Sequence, residues 1–331
     1  MLKFFLAGLL GMTSLSGWTF TKGYNQAWLK NAYRTQWLNS SYDPQYVAEI
    51  MRLNREGGSS IIRMWLYEGA TLNQFIYDET KDTIKLRPEL IQNLIHFLKA
   101  ARKSKLKVNL TFLDANAFKD LEATPKLRRF WWNVFNDKYG KQHHFYQEAI
   151  LPVYQLIATQ FKDVVTQVDL VNEVNAIGHF KMFSDSKNAM SKFLCKLGSN
   201  RPVPITASLG WGNAEEFFFS GLLNESCLDF YDIHFYNDLG KIPRCQDFKR
   251  FASRGYQFQL GEFGQKSKAY DDELQSLVTL NFLKNAQSCG FLSALAWRLD
   301  DNRDGYNAEA RHSYLSFGTP RKAYQTLRDF H

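Results

Sequence analysis

Val168-Asp169-Leu170-Val171-Asn172-Glu173 is the stretch of sequence that decides the fold. Its apolar run has the length of a buried parallel strand, and it ends in a carboxylate that such a strand has no packing reason to carry. Phe258-Gln259-Leu260-Gly261-Glu262-Phe263-Gly264 repeats the pattern, with glycines on both sides of the glutamate. Two strands that each end in a glutamate predict a site where strand ends meet.

Six further strand-like runs alternate with helical patterns along the chain. They are residues 20–25, 60–66, 106–113, 204–209, 228–236 and 291–297. The alternation predicts a parallel sheet, and the count of eight strands predicts its closure into a barrel. At 331 residues the chain is long for an ordinary domain but fits a (β/α)8 barrel. We therefore predict an α/β fold, with one (β/α)8 TIM barrel domain over residues 18–331.

The N-terminus has the pattern of an export signal. Lys3 precedes the apolar run 4–12, and small residues follow at Ser14, Ser16 and Gly17. We predict a signal peptide over residues 1–17, and hence a secreted or periplasmic protein; the alternative is an N-terminal strand or helix of the barrel. The run is too short to cross a membrane comfortably and no later run reaches that length, so we expect no membrane span.

Four cysteines fit an oxidising compartment without proving disulfides. They are Cys195, Cys227, Cys245 and Cys289. Cys227 and Cys245 flank the sixth predicted strand and could be tied together. The spacing of the four matches no zinc pattern, so we expect no metal bound by cysteine.

Charge and aromatic content limit the class of partner. The formal net charge is +8, which suits an anionic partner, but lysine and arginine are scattered along the chain and no nucleic-acid motif accompanies them. We expect no nucleic-acid partner and a monomeric protein. Aromatic residues make up 15% of the chain. Flat rings stack on sugars, although packing of the core alone explains most of this content.

The carboxyl ends of the strands converge in a barrel, so candidate functional residues are found there. They are Arg63, Trp65, Asp114, Asn172, Glu173, Trp211, His234, Tyr236, Glu262 and Trp297. Cleavage of a glycosidic bond needs two carboxyl groups, one protonated for the leaving oxygen and one ionised to face the sugar carbon. Glu173 and Glu262 are the candidates for this pair.

The same strand ends resemble those of the clan A glycoside hydrolases, and most of all the family 5 cellulases and β-mannanases. That clan carries its acid/base glutamate after an asparagine on strand four, where Asn172-Glu173 stands. It carries its nucleophile on strand seven and usually a tryptophan on strand eight, which Glu262 and Trp297 match. Family 5 also has an arginine on strand two and a His-x-Tyr on strand six, matched by Arg63 and His234-Phe235-Tyr236.

The resemblance implies a retaining mechanism with Glu173 as acid/base and Glu262 as nucleophile. We expect Glu173 to be protonated at rest, with its pKa raised by partial burial and by the negative charge of Glu262. We expect Arg63 and the hydroxyl of Tyr236 to hold Glu262 ionised. The carboxyl groups should then lie about 5 to 5.5 Å apart.

The resemblance also implies residues that bind the sugar. Asn172 would hold the 2-hydroxyl, and Trp297 would be the floor under the reacting ring. Family 5 often has a histidine at the end of strand three, where this chain reads Leu113-Asp114-Ala115-Asn116. Asp114 or Asn116 is the candidate hydroxyl binder in its place, and Trp211 is a candidate sugar platform.

Several of these residues have a simpler structural interpretation. Arg63 could belong to a structural ion pair, and His234 could be a hydrogen-bonded pocket residue that is neither acid nor base. Trp297 could fill the barrel core. Trp131-Trp132, within the long segment 114–145, are candidate sugar platforms or packing residues. His143-His144 is expected on the surface.

One loop resembles a calcium site without completing it. Asp300 to Gly305 contains the Asp-x-Asn-x-Asp-Gly start of a calcium-binding loop, but the twelfth position holds Arg311 where a glutamate is required. We expect no calcium there, and no metal or cofactor elsewhere.

Together these observations predict an exported retaining β-glycoside hydrolase that acts on a β-linked polysaccharide or oligosaccharide, an endo-β-mannanase or β-glucanase being favoured. One alternative is a hydrolase or transglycosylase of an amino-sugar cell-wall glycan. An alternative of another class is a barrel that binds glycan without cutting it.

Overall fold

The computed structural model describes residues 20–30, 35–68, 71–118, 125–177, 182–210, 212–266, 271–300, 312–316 and 318–331. Three features of the sequence lie outside these residues. They are the predicted signal peptide, the candidate platform Trp211, and the Asp-rich loop beyond Asp300.

Eight parallel strands form the central sheet, and two small antiparallel hairpins lie outside it. The strands are β1 (Thr21–Asn25), β2 (Ile61–Glu68), β3 (Phe75–Asp78), β4 (Thr83–Leu86), β5 (Lys107–Asp114), β6 (Val165–Asn172), β7 (Ile205–Thr206), β8 (Tyr231–Tyr236), β9 (Phe258–Gly264), β10 (Phe291–Ala296), β11 (Leu315–Ser316) and β12 (Thr319–Pro320). The hairpins are β3–β4 and β11–β12. The first of them follows β2 and was not predicted from the sequence.

The large sheet closes into a barrel. Its strand order is β7-β6-β5-β2-β1-β10-β9-β8. The two edges meet where Leu209 pairs with Ile233, and backbone hydrogen bonds join Leu209 to Asp232 and His234 there. The predicted (β/α)8 barrel is therefore confirmed, because all eight strands stand parallel and their carboxyl ends open at one mouth.

Helices surround the barrel. They are α1 (Pro44–Glu56), α2 (Pro88–Lys103), α3 (Pro125–Phe135), α4 (Lys141–Phe145), α5 (Leu151–Leu156), α6 (Ser186–Leu197), α7 (Ala214–Phe219), α8 (Cys245–Ala252), α9 (Asp272–Ser288) and α10 (Lys322–Asp329). Local sequence explains where α1 begins, because Asp43 accepts hydrogen bonds from the backbone N–H groups of Gln45 and Tyr46. None of the helices in the described residues is long and apolar enough to cross a membrane.

The helix around Pro152 departs from regular α geometry. Two π-helical turns, Tyr146–Ile150 and Ile157–Phe161, flank α5. Proline offers no N–H to the preceding turn, and a π-helical turn before Pro152 accommodates the missing hydrogen bond. The sequence predicted a kink or two helical pieces here, and the structure shows a change of helix type.

The long segment after β5 contributes to the core. Trp131 on α3 is fully buried and packs its ring against Phe118, Phe135 and Phe145. Trp131 is thus a packing residue, and its candidacy as a sugar platform was wrong. Trp132 is only partly buried and packs against the same cluster from outside.

Both disulfides differ from the pair considered in the sequence. Cys195 is bonded to Cys227, and Cys245 is bonded to Cys289, with Cα–Cα distances of 5.1 and 5.0 Å. Cys227 is thus joined to α6, and Cys245 is joined to the residue that follows α9. The proposed link between Cys227 and Cys245 was therefore wrong.

Candidate active site

Glu173 and Glu262 lie at the mouth of the barrel because β6 and β9 run in the same direction. Glu262 is within β9, and Glu173 is the first residue after β6. Both residues are buried, with 6% and 4% of their surface exposed. One oxygen of Glu173, one oxygen of Glu262 and one ring nitrogen of His234 all lie within 4.8 Å of one another. The two carboxyl groups therefore face a single gap, as the sequence predicted.

The backbone turns sharply to aim Glu173 into the mouth. Its φ of 51° and ψ of 48° are left-handed, a conformation that costs a non-glycine residue on the order of 1 kcal/mol or more. The N–H of Glu173 donates to the hydroxyl of Ser208 at 2.9 Å, which helps to hold the turn. Gly210 gives the carboxylate its space, since a Cβ there would lie 1.9 Å from Oε1 of Glu173.

Arg63 is the cation of the site and is fully buried. One of its terminal nitrogens donates to Oε1 of Glu262 at 2.7 Å and to Oδ1 of Asn25 at 2.9 Å. The other donates to Oδ2 of Asp169 at 2.6 Å and to Oδ1 of Asn172 at 2.7 Å. Each terminal nitrogen thus donates two hydrogen bonds, which fix the orientation of the guanidinium. The guanidinium in turn fixes the positions of Glu262 and Asn172.

Glu262 receives a second hydrogen bond from Tyr236. The phenol donates to Oε2 at 2.6 Å, so each carboxylate oxygen has its own donor. Burial raises the pKa of Glu262 above its usual value, while Arg63 and the Tyr236 hydroxyl oppose that rise. The expected contacts of Arg63 and Tyr236 are present, and they act against the cost of burying the charge.

His234 lies between the two glutamates. Its Nδ1 is 3.3 Å from Oε1 of Glu173 and 3.5 Å from Oε2 of Glu262. Burial lowers the pKa of His234 to about 4, so the ring is neutral at neutral pH. This agrees with its interpretation as a hydrogen-bonded pocket residue.

Asn172 is held by both ends of its amide. Its oxygen accepts from Arg63, and its nitrogen donates to Oδ1 of Asp114 at 3.0 Å. Burial raises the pKa of Asp114 to about 6, and the nearby Glu173 adds to the rise, although the hydrogen bond from Asn172 opposes it. Asn116 donates to Oε2 of Glu173 at 2.8 Å. The end of strand three, where family 5 often has a histidine, thus provides an amide donor to Glu173 in this chain.

Aromatic rings form one side of the site. Trp297 packs edge to face against Trp65 and Trp28, with ring centroids 5.5 and 5.9 Å away. Tyr236 packs against this aromatic cluster, and the guanidinium of Arg63 lies 4.3 Å from the ring centre of Trp65. Trp297 is 7% exposed, so it is part of a small buried cluster next to the glutamates.

Sequence reasoning missed several residues of this network. They are Asn25, Asp169, Ser208 and Asp232, all fully buried. A polar residue inside an otherwise apolar strand, such as Asp169 in β6, was the available signal. The partner of such a residue stands on another strand, and no local pattern identifies it.

A metal ion has one candidate donor set in the described residues, formed by Glu173, His234 and Glu262. The carboxyl groups of the two glutamates already accept hydrogen bonds from Asn116, Arg63 and Tyr236. The guanidinium of Arg63, whose terminal nitrogen lies 2.7 Å from Oε1 of Glu262, would also repel a cation bound to this carboxyl group. The arrangement suits proton transfer and charge stabilisation better than metal binding.

No protein-family model matches the chain, and no curated protein matches it by sequence. By structure the chain is similar to the β-mannanase from the blue mussel Mytilus edulis, at 16% identity and a TM-score of 0.63, with 94% of this chain and 92% of that chain covered. It is also similar to the β-1,4-D-mannanase from Cryptopygus antarcticus, at 16% identity and a TM-score of 0.64, with 93% and 90% covered.

A third similar structure is the endo-1,4-β-mannanase from Eisenia fetida, at 15% identity and a TM-score of 0.64, with 94% of this chain and 91% of that chain covered. Likeness at these identities is likeness of fold. It confirms the predicted fold, since this chain has the (β/α)8 barrel of these proteins.

Proposed function

We propose that this protein is an exported retaining β-glycoside hydrolase of clan A, family 5, acting on a β-linked polysaccharide or oligosaccharide. The observation that carries the proposal is the pair of buried carboxyl groups, Glu173 and Glu262, with oxygens within 4.8 Å of each other at the barrel mouth. Such a separation fits a nucleophile that attacks the sugar directly, since inverting enzymes leave room for a water between the two groups.

The first step makes a covalent sugar ester. An oxygen of Glu262 forms a bond to the anomeric carbon, and the glycosidic C–O bond breaks with its electron pair on the leaving oxygen. That oxygen takes the proton of Glu173. Arg63 contacts Glu262 and not Glu173, which favours the negative charge on Glu262 and the proton on Glu173 before the reaction.

The second step releases the sugar. Glu173, now a carboxylate, takes a proton from water while the water oxygen bonds to the anomeric carbon. The ester bond breaks, and its electron pair returns to Glu262. Asn116 donates to Oε2 of Glu173 and so stabilises the charge that this residue carries between the steps. Two displacements at one carbon give retention of configuration.

Binding of the sugar is assigned to the residues around the pair. Asn172, fixed by Arg63 and Asp114, is proposed to hold the 2-hydroxyl with its second amide hydrogen. Trp297 is proposed as the floor under the reacting ring. Asp114 and Trp211 stay candidates for further contacts, as in the sequence-based prediction.

The favoured substrate is a β-mannan, with a β-glucan second. The similar structures named above are β-mannanases by description, and their likeness extends over almost the whole barrel. An amino-sugar cell-wall glycan is the alternative, because the net charge of +8 suits an anionic wall. The two disulfides suit export into an oxidising compartment. We propose a monomer in solution.

A glycan-binding barrel without activity is the rival from another class. Both carboxyl groups are present, each has its own hydrogen-bond donor, and Arg63 is placed to stabilise charge on one of them. A protein that only bound sugar would have no need to hold two buried acids and a buried cation together.

Activity on defined polymers tests the proposal. The purified protein should release reducing sugar from β-1,4-mannan or β-1,4-glucan, and proton NMR of the first product should show the β-anomer. Glu173→Ala and Glu262→Ala should lose at least a thousandfold in activity, while Glu216→Ala, at an exposed position, should be unchanged. With an activated aryl β-glycoside, whose phenolate leaves without a proton, azide should restore turnover to both alanine variants, giving the β-azide with Glu173→Ala and the α-azide with Glu262→Ala.

Two outcomes would redirect the proposal. Binding of mannan without any product would favour the non-catalytic barrel. Transfer of the sugar to added acceptor sugars in place of water would identify a transglycosylase that uses the same residues.

A further inference from the structure

A buried carboxyl group lies on the far side of His234 from the glutamates. Asp232 stands two residues before His234 on β8, so both side chains point to the barrel interior. Oδ1 of Asp232 is 3.7 Å from Nε2 of His234, and both residues are buried. Among the described residues neither of these two atoms has a hydrogen-bond partner.

The neighbours of Asp232 fix its position. Its other oxygen, Oδ2, accepts from the amide of Gln259 at 2.7 Å. Gly261 on β9 gives it space, because a Cβ at that position would lie 2.0 Å from Oδ1. The carboxyl group is therefore held against the edge of the imidazole by two residues of the adjacent strand. Backbone packing and the Gln259 bond keep Oδ1 facing Nε2.

The charges around Asp232 favour its neutral form. The carboxylates of Asp169 on β6 and Glu262 on β9 lie nearby, and both form ion pairs with the guanidinium of Arg63. Arg63 makes no hydrogen bond to Asp232, so an ionised Asp232 would be a buried anion without a direct cationic partner. Burial raises the pKa of Asp232 to about 7, and Asp169 and Glu262 contribute to the rise, while Arg63 and Gln259 oppose it.

His234 carries a single ring proton, because its buried ring stays neutral. That proton is on Nε2 or on Nδ1. Were it on Nε2, the lone pair of Nδ1 would face the ionised Glu262 at 3.5 Å, and it could be satisfied only by the proton of Glu173, at 3.3 Å, which the leaving oxygen needs. Were it on Nδ1, both oxygens would face a donor, and Nε2 would need a donor of its own. Asp232 is the group positioned to supply one.

We propose that Asp232 is a positioning residue: it holds a proton on Oδ1 and donates it to Nε2 of His234 when the 3.7 Å gap between these atoms closes by about half an ångström to hydrogen-bond distance. This bond keeps the ring in the form whose Nδ1–H faces Glu173 and Glu262. The inference rests on the proposed function for its catalytic meaning. The Nδ1–H serves Glu262 while Glu173 is protonated. Between the two displacements it serves Glu173, whose carboxylate Oε1 lies within reach. His234 thereby follows the negative charge from one glutamate to the other without taking up a proton.

Two substitutions of Asp232 separate this role from simple packing. Asp232→Asn keeps the pattern of the neutral acid, since its carbonyl accepts from Gln259 and its amide donates to Nε2 of His234. Asp232→Leu has a similar volume and no donor. We expect kcat/KM of Asp232→Asn to stay within about threefold of the unchanged protein. We expect Asp232→Leu to lose about tenfold, the order expected for one hydrogen bond, with the loss in kcat and little change in KM.

Nitrogen NMR of the full-length protein with labelled histidine reads the tautomer directly. The His234 signals, assigned from their loss in His234→Gln, should show a protonated Nδ1 and a bare Nε2 at pH 5.5 in both the unchanged protein and Asp232→Asn. Raising the pH through about 7 should move the proton to Nε2 in the unchanged protein, as Asp232 ionises and accepts it. The spectrum of Asp232→Asn should not change over that range.

A protonated Nε2 at pH 5.5 in the unchanged protein would overturn the inference, and so would an Asp232→Asn variant as impaired as Asp232→Leu. Should Asp232→Leu fail to fold, the comparison of the unchanged protein with Asp232→Asn still decides the matter. The NMR result needs no activity, so a wrong tautomer in an active glycosidase would refute the role of Asp232 alone. A correct tautomer in a protein without glycosidase activity would refute the proposed function alone.

Discussion

Replacing Tyr236 by phenylalanine removes one hydrogen bond from the proposed nucleophile and leaves the ring in place. The phenol donates to Oε2 of Glu262 at 2.6 Å in a buried setting, and the ring packs against the aromatic cluster around Trp297. A hydrogen bond to a charged group contributes about 1.5 to 3 kcal/mol. Because this bond favours the ionised carboxylate, its loss should raise the pKa of Glu262 by about 1 to 2 units.

The consequence is a shifted pH profile. The nucleophile acts as a carboxylate, so the acidic limb of kcat/KM should move upward by the same 1 to 2 units in Tyr236→Phe. Below the limb, the loss in kcat/KM should be on the order of 10- to 100-fold, and it should shrink as the pH rises towards neutrality. The assay is kcat/KM against pH with a soluble β-manno-oligosaccharide.

Tyr231→Phe is the matched control. Tyr231 lies on the same strand, and its ring stacks on Tyr256, away from the glutamates. Its substitution should leave the profile where it is. An acidic limb that stays in place in Tyr236→Phe, with the activity lowered equally at every pH, would refute the reasoning. It would mean that Tyr236 positions the substrate and does not set the ionisation of Glu262.

Three further predictions concern the residues that build the site. Gly210→Ala should lower kcat at least tenfold in a steady-state assay, because its Cβ would lie 1.9 Å from Oε1 of Glu173; an unchanged kcat would contradict this placement. Asp114→Asn should raise the free energy of unfolding relative to the unchanged protein as the pH rises. A pKa raised to about 6 means that the folded protein binds the proton more tightly, so stability from Asp114 is present below pH 4 and is lost as the pH rises through 6. Urea unfolding should therefore show Asp114→Asn gaining about 2.5 kcal/mol relative to the unchanged protein between pH 4 and pH 8, and equal effects at both would refute it. Arg63→Leu should lose about 3 to 5 kcal/mol of unfolding free energy, since it leaves Asp169 buried without its cation; a loss below about 1 kcal/mol would contradict a structural role for this ion pair.

The sequence predicted the barrel and the positions of the two glutamates because both depend on local pattern. Each barrel strand is a short apolar run, and parallel strands bring their ends to one mouth whatever the details of packing. Glu173 and Tyr236 stand at such ends, and Glu262 is two residues before one. Arg63 is only the third residue of β2 and reaches Glu262 with its long side chain. The meeting of the two glutamates follows from strand direction alone.

Residues that act through another strand could not be predicted in this way. Asp169 forms an ion pair with Arg63, and Asp232 lies on the side of His234 away from the glutamates. In the sequence, each of these two aspartates is only a single acidic residue within a strand. The disulfides depend on which helices lie side by side, and the burial of Trp131 depends on rings contributed from other segments. Such features follow from contacts between segments that lie far apart in the sequence, and no local sequence pattern shows those contacts.

Identification of the residue that bonds to the sugar tests the central claim most directly. A 2-deoxy-2-fluoro-β-mannosyl fluoride slows the second displacement, so the covalent ester should accumulate and appear in the intact mass of the protein. Proteolysis and sequencing by mass spectrometry should then place the added sugar on Glu262, and Glu262→Gln should take up none. A label on another residue, or efficient turnover of β-mannosides with an inverted product and no label, would contradict the account.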